Sequence, residues 1–396
     1  MNFDFDRPVL RKGTGCKKWD LLGTLFGEED LLALWIADTE FPAPLPVLEA
    51  LHRRVDHGVF GYPVRGRSVR EAVAAWERTR HGWDVDPDWV CHAPGVMPGV
   101  AVALEALTRP GDGVVVQPPV YHPFPAVVEA NDRKLLWNPL VRREDRYVMD
   151  LEGLEGLLAG GARAVLLCSP HNPVGRVWTR EELSALAELC VRYDALILCD
   201  EIHQDIVFSD GGVHVPLASL GKEVARRTVT FVAPSKTFNL AGFYTSAVVI
   251  SDPELRRAYE TRLGALFLGG ANQLGLVALE TAYREGAPWL DALVRYLEEN
   301  RNVLEAYLRD RLPGVRMDHP EGTFVFWLDF RDWEEDPEKL QAFLVREARV
   351  ALNDGATFGP GGAGFARINV GCPRAMLLEG LERIREAAVR RGWVRP

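Results

Sequence analysis

No stretch of the 396 residues stays apolar over the ~18 positions that a membrane-spanning helix needs, so nothing in the pattern asks for a bilayer. Lysine and arginine never form a block longer than a pair. Acidic residues, at 56, outnumber the 46 basic ones, for a formal net charge of −10, and that balance argues against a surface built for nucleic acid or anionic lipid. The six cysteines, at positions 16, 91, 168, 190, 199 and 372, include no Cys-x-x-Cys pair and no regular framework, which points to free thiols in a reducing compartment. The opening Met1 to Asp6 is acidic where a secretory leader would be basic and then apolar, so a cytoplasmic protein is expected.

Several catalytic signatures are also missing. There is no His-Glu-x-x-His and no Gly-x-x-x-x-Gly-Lys-Ser/Thr, and Gly13-Thr14-Gly15 does not stand between a strand and a helix as a dinucleotide fingerprint must. His203 lies close to Asp200 and Asp205, but without a third ligand elsewhere that group reads as polar contacts, and no metal is expected. Lysine itself is scarce: seven of the 46 basic residues, at 12, 17, 18, 134, 222, 236 and 339.

No repeat, low-complexity tract or linker interrupts the chain. Pro44 to His57 opens on proline and closes at Gly58, as a helix does. Ser68 with Glu71, and Thr179 with Glu182, have capping-box spacing ahead of apolar stripes. Between helices lie Val114 to Val116, Ala164 to Leu167, Leu196 to Leu198 and Val229 to Val232, short, nearly continuous apolar runs of the kind found in buried parallel strands. Their alternation with helices predicts an α/β fold, a mainly parallel sheet covered by helices on both faces. The tail differs. Helical Trp289 to Leu312, strand-like Thr323 to Leu328, helical Pro337 to Ala348, strand-like Ala366 to Val370 and helical Arg374 to Arg391 predict a smaller α+β domain joined by the N-terminal segment. The expected division is 46–285 for the large domain, with 1–45 plus 286–396 for the small one.

Ligands of open α/β sheets sit beyond the carboxyl ends of the strands. After four successive predicted strands come Tyr121, Asn172, Asp200 and the pair Ser235-Lys236. An aromatic ring, an amide, a carboxylate and an amine therefore face one crevice. Where arginine is the usual cation, a lysine kept at a strand exit suits what arginine cannot do, which is to lose its proton and attack a carbonyl. A carboxylate placed directly after Leu-Ile-Leu-Cys wants a cationic partner such as a protonated pyridine nitrogen. Gly95-Val96-Met97 ahead of the helical run Val100 to Leu107 offers backbone amides for a phosphate, with the Ser235 hydroxyl as a further donor.

These residues carry a resemblance. Arg11 to Asp20 (RKGTGCKKWD), Leu34 to Phe41 (LWIADTEF), Asp56 to Tyr62 (DHGVFGY), Ser169 to Gly175 (SPHNPVG), Asp200 to Asp205 (DEIHQD), Ser235 to Gly242 (SKTFNLAG) and Arg367 to Pro373 (RINVGCP) are similar to the MalY/PatB-type carbon–sulfur lyases. These are pyridoxal-phosphate enzymes of fold type I within the class I and II aminotransferase superfamily. The resemblance spans nearly the whole chain. It implies Lys236 as the Schiff-base lysine, Asp200 as partner of the pyridine nitrogen, Asn172 as ligand of the ring oxygen and Tyr121 as the stacking ring. It implies Gly95, Val96, Met97 and Ser235 around the phosphate, His203 beside the cofactor, and Tyr62 reaching the cofactor of a neighbouring subunit in a homodimer. Arg367 is implied as the clamp on the substrate α-carboxylate, with Tyr121 and Asp38 as further substrate contacts. Two positions depart from the wider aminotransferase pattern: Ala233 replaces a phosphate-binding hydroxyl, and Tyr244 stands where an arginine is common. His203 in place of a tyrosine favours the lyase branch. The implied activity is β-cleavage of cystathionine or cysteine-type substrates to pyruvate, ammonia and a thiol. The alternatives are an aminotransferase and a regulatory relative that binds another protein.

Overall fold

The computed structural model describes residues 3–144 and 146–395. Seven strands form the main sheet: β1 (Val90–Ala93), β2 (Gly113–Val116), β3 (Lys134–Trp137), β4 (Ala164–Cys168), β5 (Leu196–Asp200), β6 (Thr228–Val232) and β7 (Ser246–Val249). Their spatial order is β1-β7-β6-β5-β4-β2-β3. The four apolar runs read from the sequence are β2, β4, β5 and β6, and all four are buried. They need covering on both faces, which is why they read as nearly unbroken apolar stretches.

The sheet is mixed. Strands β3, β2, β4, β5 and β6 are parallel, whereas β7 runs antiparallel to both β6 and β1. Residues 233–245 between β6 and β7 hold only the short turns Pro234–Thr237 and Ala241–Phe243, with no crossover helix, so the chain must double back. Register aligns Cys168 with Asp200 and Asp200 with Phe231. That alignment brings the segments after β4, β5 and β6 to one edge.

Local punctuation explains most helix starts. Thr179 caps the helix Arg180–Arg192 as expected: its hydroxyl accepts from the Glu182 amide at 3.2 Å, and the Glu182 carboxylate accepts from the Thr179 amide at 2.9 Å. Ser68 does not cap. The helix Arg67–His81 begins at Gly66, and Ser68 lies inside it with its hydroxyl turned to Glu280, while Glu71 pairs with Arg67 at 2.8 Å. A distant carboxylate outcompetes the local amide. Gly99, inside the helix Val96–Leu107, lets that helix press on the sheet, since a Cβ there would meet Ala93 at 3.0 Å and Phe231 at 3.2 Å.

A second, antiparallel sheet has the order Arg316–Met317, Val325–Asp329, Phe365–Asn369, Asn353–Asp354. The long helix Ala287–Arg311 buries Leu290, Leu293, Leu297, Leu304 and Leu308, a 3.6-period stripe worth ~1.5–3 kcal/mol per leucine. Helix Arg374–Arg391 has the bounds the sequence suggested. Near the N-terminus, Leu32–Ala33 pairs in parallel with Val350–Ala351. The helix Pro337–Ala342 passes into a π-turn over Phe343–Glu347. Among the described residues no helix is long and apolar enough to cross a membrane.

Candidate active site

Strand β6 hands the chain to the short helix Pro234–Thr237, with proline at its start. This turn directs Lys236 back over the carboxyl edge of the sheet. Its amine donates a 2.6 Å hydrogen bond to the carbonyl of Ala37. Removal from water lowers its pKa to about 8, an effect that Asp38 partly offsets. Asp38 is itself held: Arg11 grips its two oxygens at 3.0 and 2.7 Å, and Lys18 lies 3.3 Å away. Lys18 also meets Glu40 at 2.6 Å, so a buried ion cluster stands behind the lysine.

A cavity of about 200 Å³ opens beside Lys236. Asp200, at the end of β5, lines it and is 3% exposed. Its carboxylate accepts from the Ile202 amide at 3.1 Å, and among the described residues it forms no ion pair. Desolvation pushes its pKa up to about 7, against the pull of that amide and of Lys236. His203 is buried with its Nδ1 unpartnered, and burial holds its pKa well below the ordinary value. Tyr121 presents its ring from the segment after β2, its phenol pKa raised by burial and then by Asp200. Ser235, Ala233 and Tyr244 complete this side of the wall.

Gly95, Val96 and Met97 form the opposite rim. The helix begins at Val96 rather than Val100, so these residues are its first turn, where amides lack intrahelical partners. Gly95 has φ +109°, a conformation that favours glycine and leaves the approach to those amides open.

Arg367, in the second sheet, is 2% exposed. It donates to Asn172 Oδ1 at 3.1 Å, to Trp35 O at 2.9 Å and to Asn353 Oδ1 at 2.7 Å, and its guanidinium lies 5.1 Å from the centre of the Phe358 ring. Its Nε has no partner, and no carboxylate pairs with it among the described residues. Desolvation lowers its pKa to about 10. A buried guanidinium facing only neutral oxygens is a site for an anion. Because Asn172 Oδ1 serves Arg367, the Asn172 amide nitrogen remains to donate into the cavity.

Lys236, Asp200, Asn172, Tyr121, His203, Ser235 and the Gly95–Met97 turn therefore meet around one space, and Arg367 is bonded to Asn172. Two expected residues stand elsewhere. Tyr62 is fully exposed and does not line the cavity of its own chain. Asp38, expected to touch substrate, is engaged by Arg11 and Lys18 and is outside the lining. Sequence reasoning assigned no role to Arg11, Lys18, Glu40, Trp35 or Asn353. The first four lie in the quoted RKGTGCKKWD and LWIADTEF segments, and that was their only signal.

The donor set fits pyridoxal phosphate: a lysine of lowered pKa, a shielded carboxyl without a cation, and a glycine-opened amide cradle. The model of the family described as aminotransferase class I and II matches residues 37–384. The chain is 44% identical over 385 residues to the cystathionine beta-lyase PatB of Bacillus subtilis, covering 97% of this chain and 99% of that one. It is 36% identical to the protein MalY of Escherichia coli, covering 96% and 97%. The crystal structure of cystalysin from Treponema denticola, which contains pyridoxal 5′-phosphate, superposes with a TM-score of 0.95 at 34% identity, over 98% of this chain and 100% of the other. By sequence span, by fold and by the groups around its cavity, the chain belongs to the pyridoxal-phosphate-dependent class I and II aminotransferase family, in the PatB/MalY branch of carbon–sulfur lyases.

Proposed function

We propose that the protein is a pyridoxal-phosphate-dependent carbon–sulfur β-lyase that cleaves cystathionine or cysteine-type substrates to pyruvate, ammonia and a thiol, homocysteine in the case of cystathionine. One observation carries the reading: a lysine of lowered pKa lines the cavity together with Asn172, and Asn172 is bonded to a buried arginine that has no carboxylate partner among the described residues, the arrangement an α-amino acid needs. When bound, the cofactor supplies an aldehyde carbon for amino groups and a ring that draws electron density from the substrate Cα.

The residues of the chain bind, orient and move protons. The Val96 and Met97 amides, with Ser235, hold the phosphate at the helix start. Asp200 sets the protonation of the ring nitrogen in a site shielded from water, and the Asn172 amide donates to the ring oxygen. Tyr121 covers the ring face, and His203 contacts the cofactor from the wall. Arg367 fixes the substrate α-carboxylate, which aims the Cα proton at Lys236. With a pKa near 8 the Lys236 amine is partly neutral at physiological pH and serves as the base for that proton. The Arg11–Asp38–Lys18–Glu40 cluster fixes the Ala37 carbonyl that receives the lysine.

The same reading takes residues 46–285 as the cofactor-bearing unit and 1–45 with 286–396 as the smaller one. It takes the working form as a cytoplasmic homodimer in which Tyr62 reaches the partner's phosphate; its full exposure and the exposed Val59, Phe60 and Val64 around it support this. The test is to supply purified holoenzyme with cystathionine and no 2-oxo acid. Pyruvate and thiol in equal amounts are expected, and Lys236→Ala should abolish both. Turnover only when a 2-oxo acid is added would replace this reading with transamination.

A further inference from the structure

Lys236 rides on a helix too short to orient itself. Pro234–Thr237 is a single turn. Within its own segment it is held by the Phe238 amide donating to Pro234 O at 2.8 Å and the Leu240 amide to Ser235 O at 3.2 Å, and one turn of backbone bonds is marginal without outside support. That support comes from residues just beyond the lysine. Asn239 donates to the carbonyls of Thr39 and Phe41 at 2.9 and 2.8 Å, which ties the turn to the segment whose Ala37 carbonyl receives the amine. Thr237, the residue directly after Lys236 and 1% exposed, is tied to a different part of the fold: its hydroxyl donates to Asp205 Oδ2 at 2.7 Å.

Asp205 is a buried ionisable group that the proposed reaction leaves unused. It is 6% exposed and stands outside the lining of the cavity beside Lys236. Its Oδ1 accepts from the Trp76 indole at 3.0 Å and lies 2.9 Å from His81 Nε2, both on the helix Arg67–His81. Burial opposes the charge on Asp205, yet the His81, Thr237 and Trp76 donors hold its pKa below the ordinary value, and Asp205 in turn raises His81 against the effect of burial. Beside it, Gln204 donates to the buried Glu77 of the same helix at 2.7 Å. An ion kept at that depth is costly, and apolar side chains would often hold the fold as well. What the carboxylate supplies and a leucine does not is a set of directed contacts, which join the turn bearing Lys236 to the helix Arg67–His81.

We propose that Thr237 and Asp205 are positioning residues for Lys236: the Trp76–Asp205–Thr237 bridge, braced by His81, fixes the backbone from which the amine reaches the cofactor aldehyde and the Cα proton of the substrate. The first of these tasks belongs to any pyridoxal-phosphate reaction at Lys236, and the second rests on the β-lyase reading. The experiment compares wild type, Thr237→Val and Thr237→Ser by kcat and KM of the holoenzyme for cystathionine, by the rate at which cofactor-free protein captures pyridoxal phosphate, and by the urea midpoint of the cofactor-free protein. Thr237→Val keeps the shape and loses the hydroxyl. It is expected to lower kcat and the capture rate about tenfold each with KM within about twofold, because a small displacement of a reacting group is enough for such a loss. Thr237→Ser keeps the donor and should bring both rates to within about threefold of wild type. A lowered urea midpoint with both rates within about twofold of wild type would reduce the bridge to a structural contact and overturn the proposal, as would a serine variant no faster than the valine one. If Thr237→Val does not fold, His81→Phe decides, because it takes a donor from the same carboxylate: a fall of about threefold or more in both rates upholds the positioning role, and unchanged rates end it. Wild type that turns over no cystathionine ends the lyase reading alone, and the capture rates still decide the role of Thr237.

Discussion

Replacing Arg367 by lysine keeps the charge and removes the geometry. The guanidinium spreads its donors over three buried oxygens, on Asn172, Trp35 and Asn353, while its Nε remains without a protein partner. An ammonium is a compact point charge, so it leaves at least one of those oxygens without a donor and offers a carboxylate one prong where the fork offers two. A hydrogen bond to a charged group contributes ~1.5–3 kcal/mol, so losing one prong should lower kcat/KM for cystathionine roughly 10- to 150-fold. The stranded oxygen should cost a further ~1–3 kcal/mol of fold stability. Pyruvate release over a substrate series gives the first quantity and urea unfolding the second, which keeps a folding defect from passing as a binding defect. An amine substrate without an α-carboxylate gives the internal control, since its turnover should be equal in the two proteins. A kcat/KM for cystathionine within threefold of wild type in Arg367→Lys would refute the assignment of this arginine to the carboxylate.

Asp200 links cofactor binding to stability. Its folded-state pKa of about 7 exceeds the ordinary 3.8, so the cofactor-free folded protein keeps a proton that the unfolded chain releases, and stability declines as pH rises through that window by up to about 4 kcal/mol. Cofactor-free Asp200→Asn should therefore gain on wild type between pH 4 and pH 8 in thermal unfolding; parallel curves would contradict the account. Asp205 accepts from Trp76 at 3.0 Å, His81 at 2.9 Å and Thr237 at 2.7 Å, with Trp76 and Thr237 buried and His81 partly so. Asp205→Asn should cost ~3–5 kcal/mol in denaturant unfolding and lower the His81 pKa seen by NMR, because the pairing that now raises it is lost. Gly95→Val forces a branched side chain into φ +109° and should weaken pyridoxal-phosphate binding to the cofactor-free protein about tenfold, followed by visible absorbance; unchanged affinity would remove the cradle from the account.

Legibility in the sequence tracked how local the determining interaction is. Strands β2, β4, β5 and β6 announce themselves because burial on both faces demands apolar runs, and their exits point straight to Tyr121, Asn172, Asp200 and Lys236. Strands β1, β3 and β7, with sequences VCHA, KLLW and SAVV, carry polar or small residues at the flanks of the sheet and give no such signal. The reversal of β7 depends on the absence of a crossover helix, which no single residue encodes. Ser68 illustrates the reverse error, a local motif overruled by Glu280, which is 212 positions away in the chain. Trp35 and Asn353 were invisible as site residues because their part is played by a backbone oxygen and a lone amide whose partner, Arg367, is remote in sequence from Trp35.

The bond from Lys236 to the Ala37 carbonyl has a consequence for biosynthesis. Ile36 and Asp38 are in turn tied through their carbonyls to the Asn369 side chain, and Thr39 and Phe41 to Asn239. The seat for the amine is therefore stitched from the first and last tenths of the polypeptide. A nascent chain cannot complete that seat until position 369 has left the ribosome, and a product terminated before it lacks the amide that holds the carbonyls on either side of Ala37.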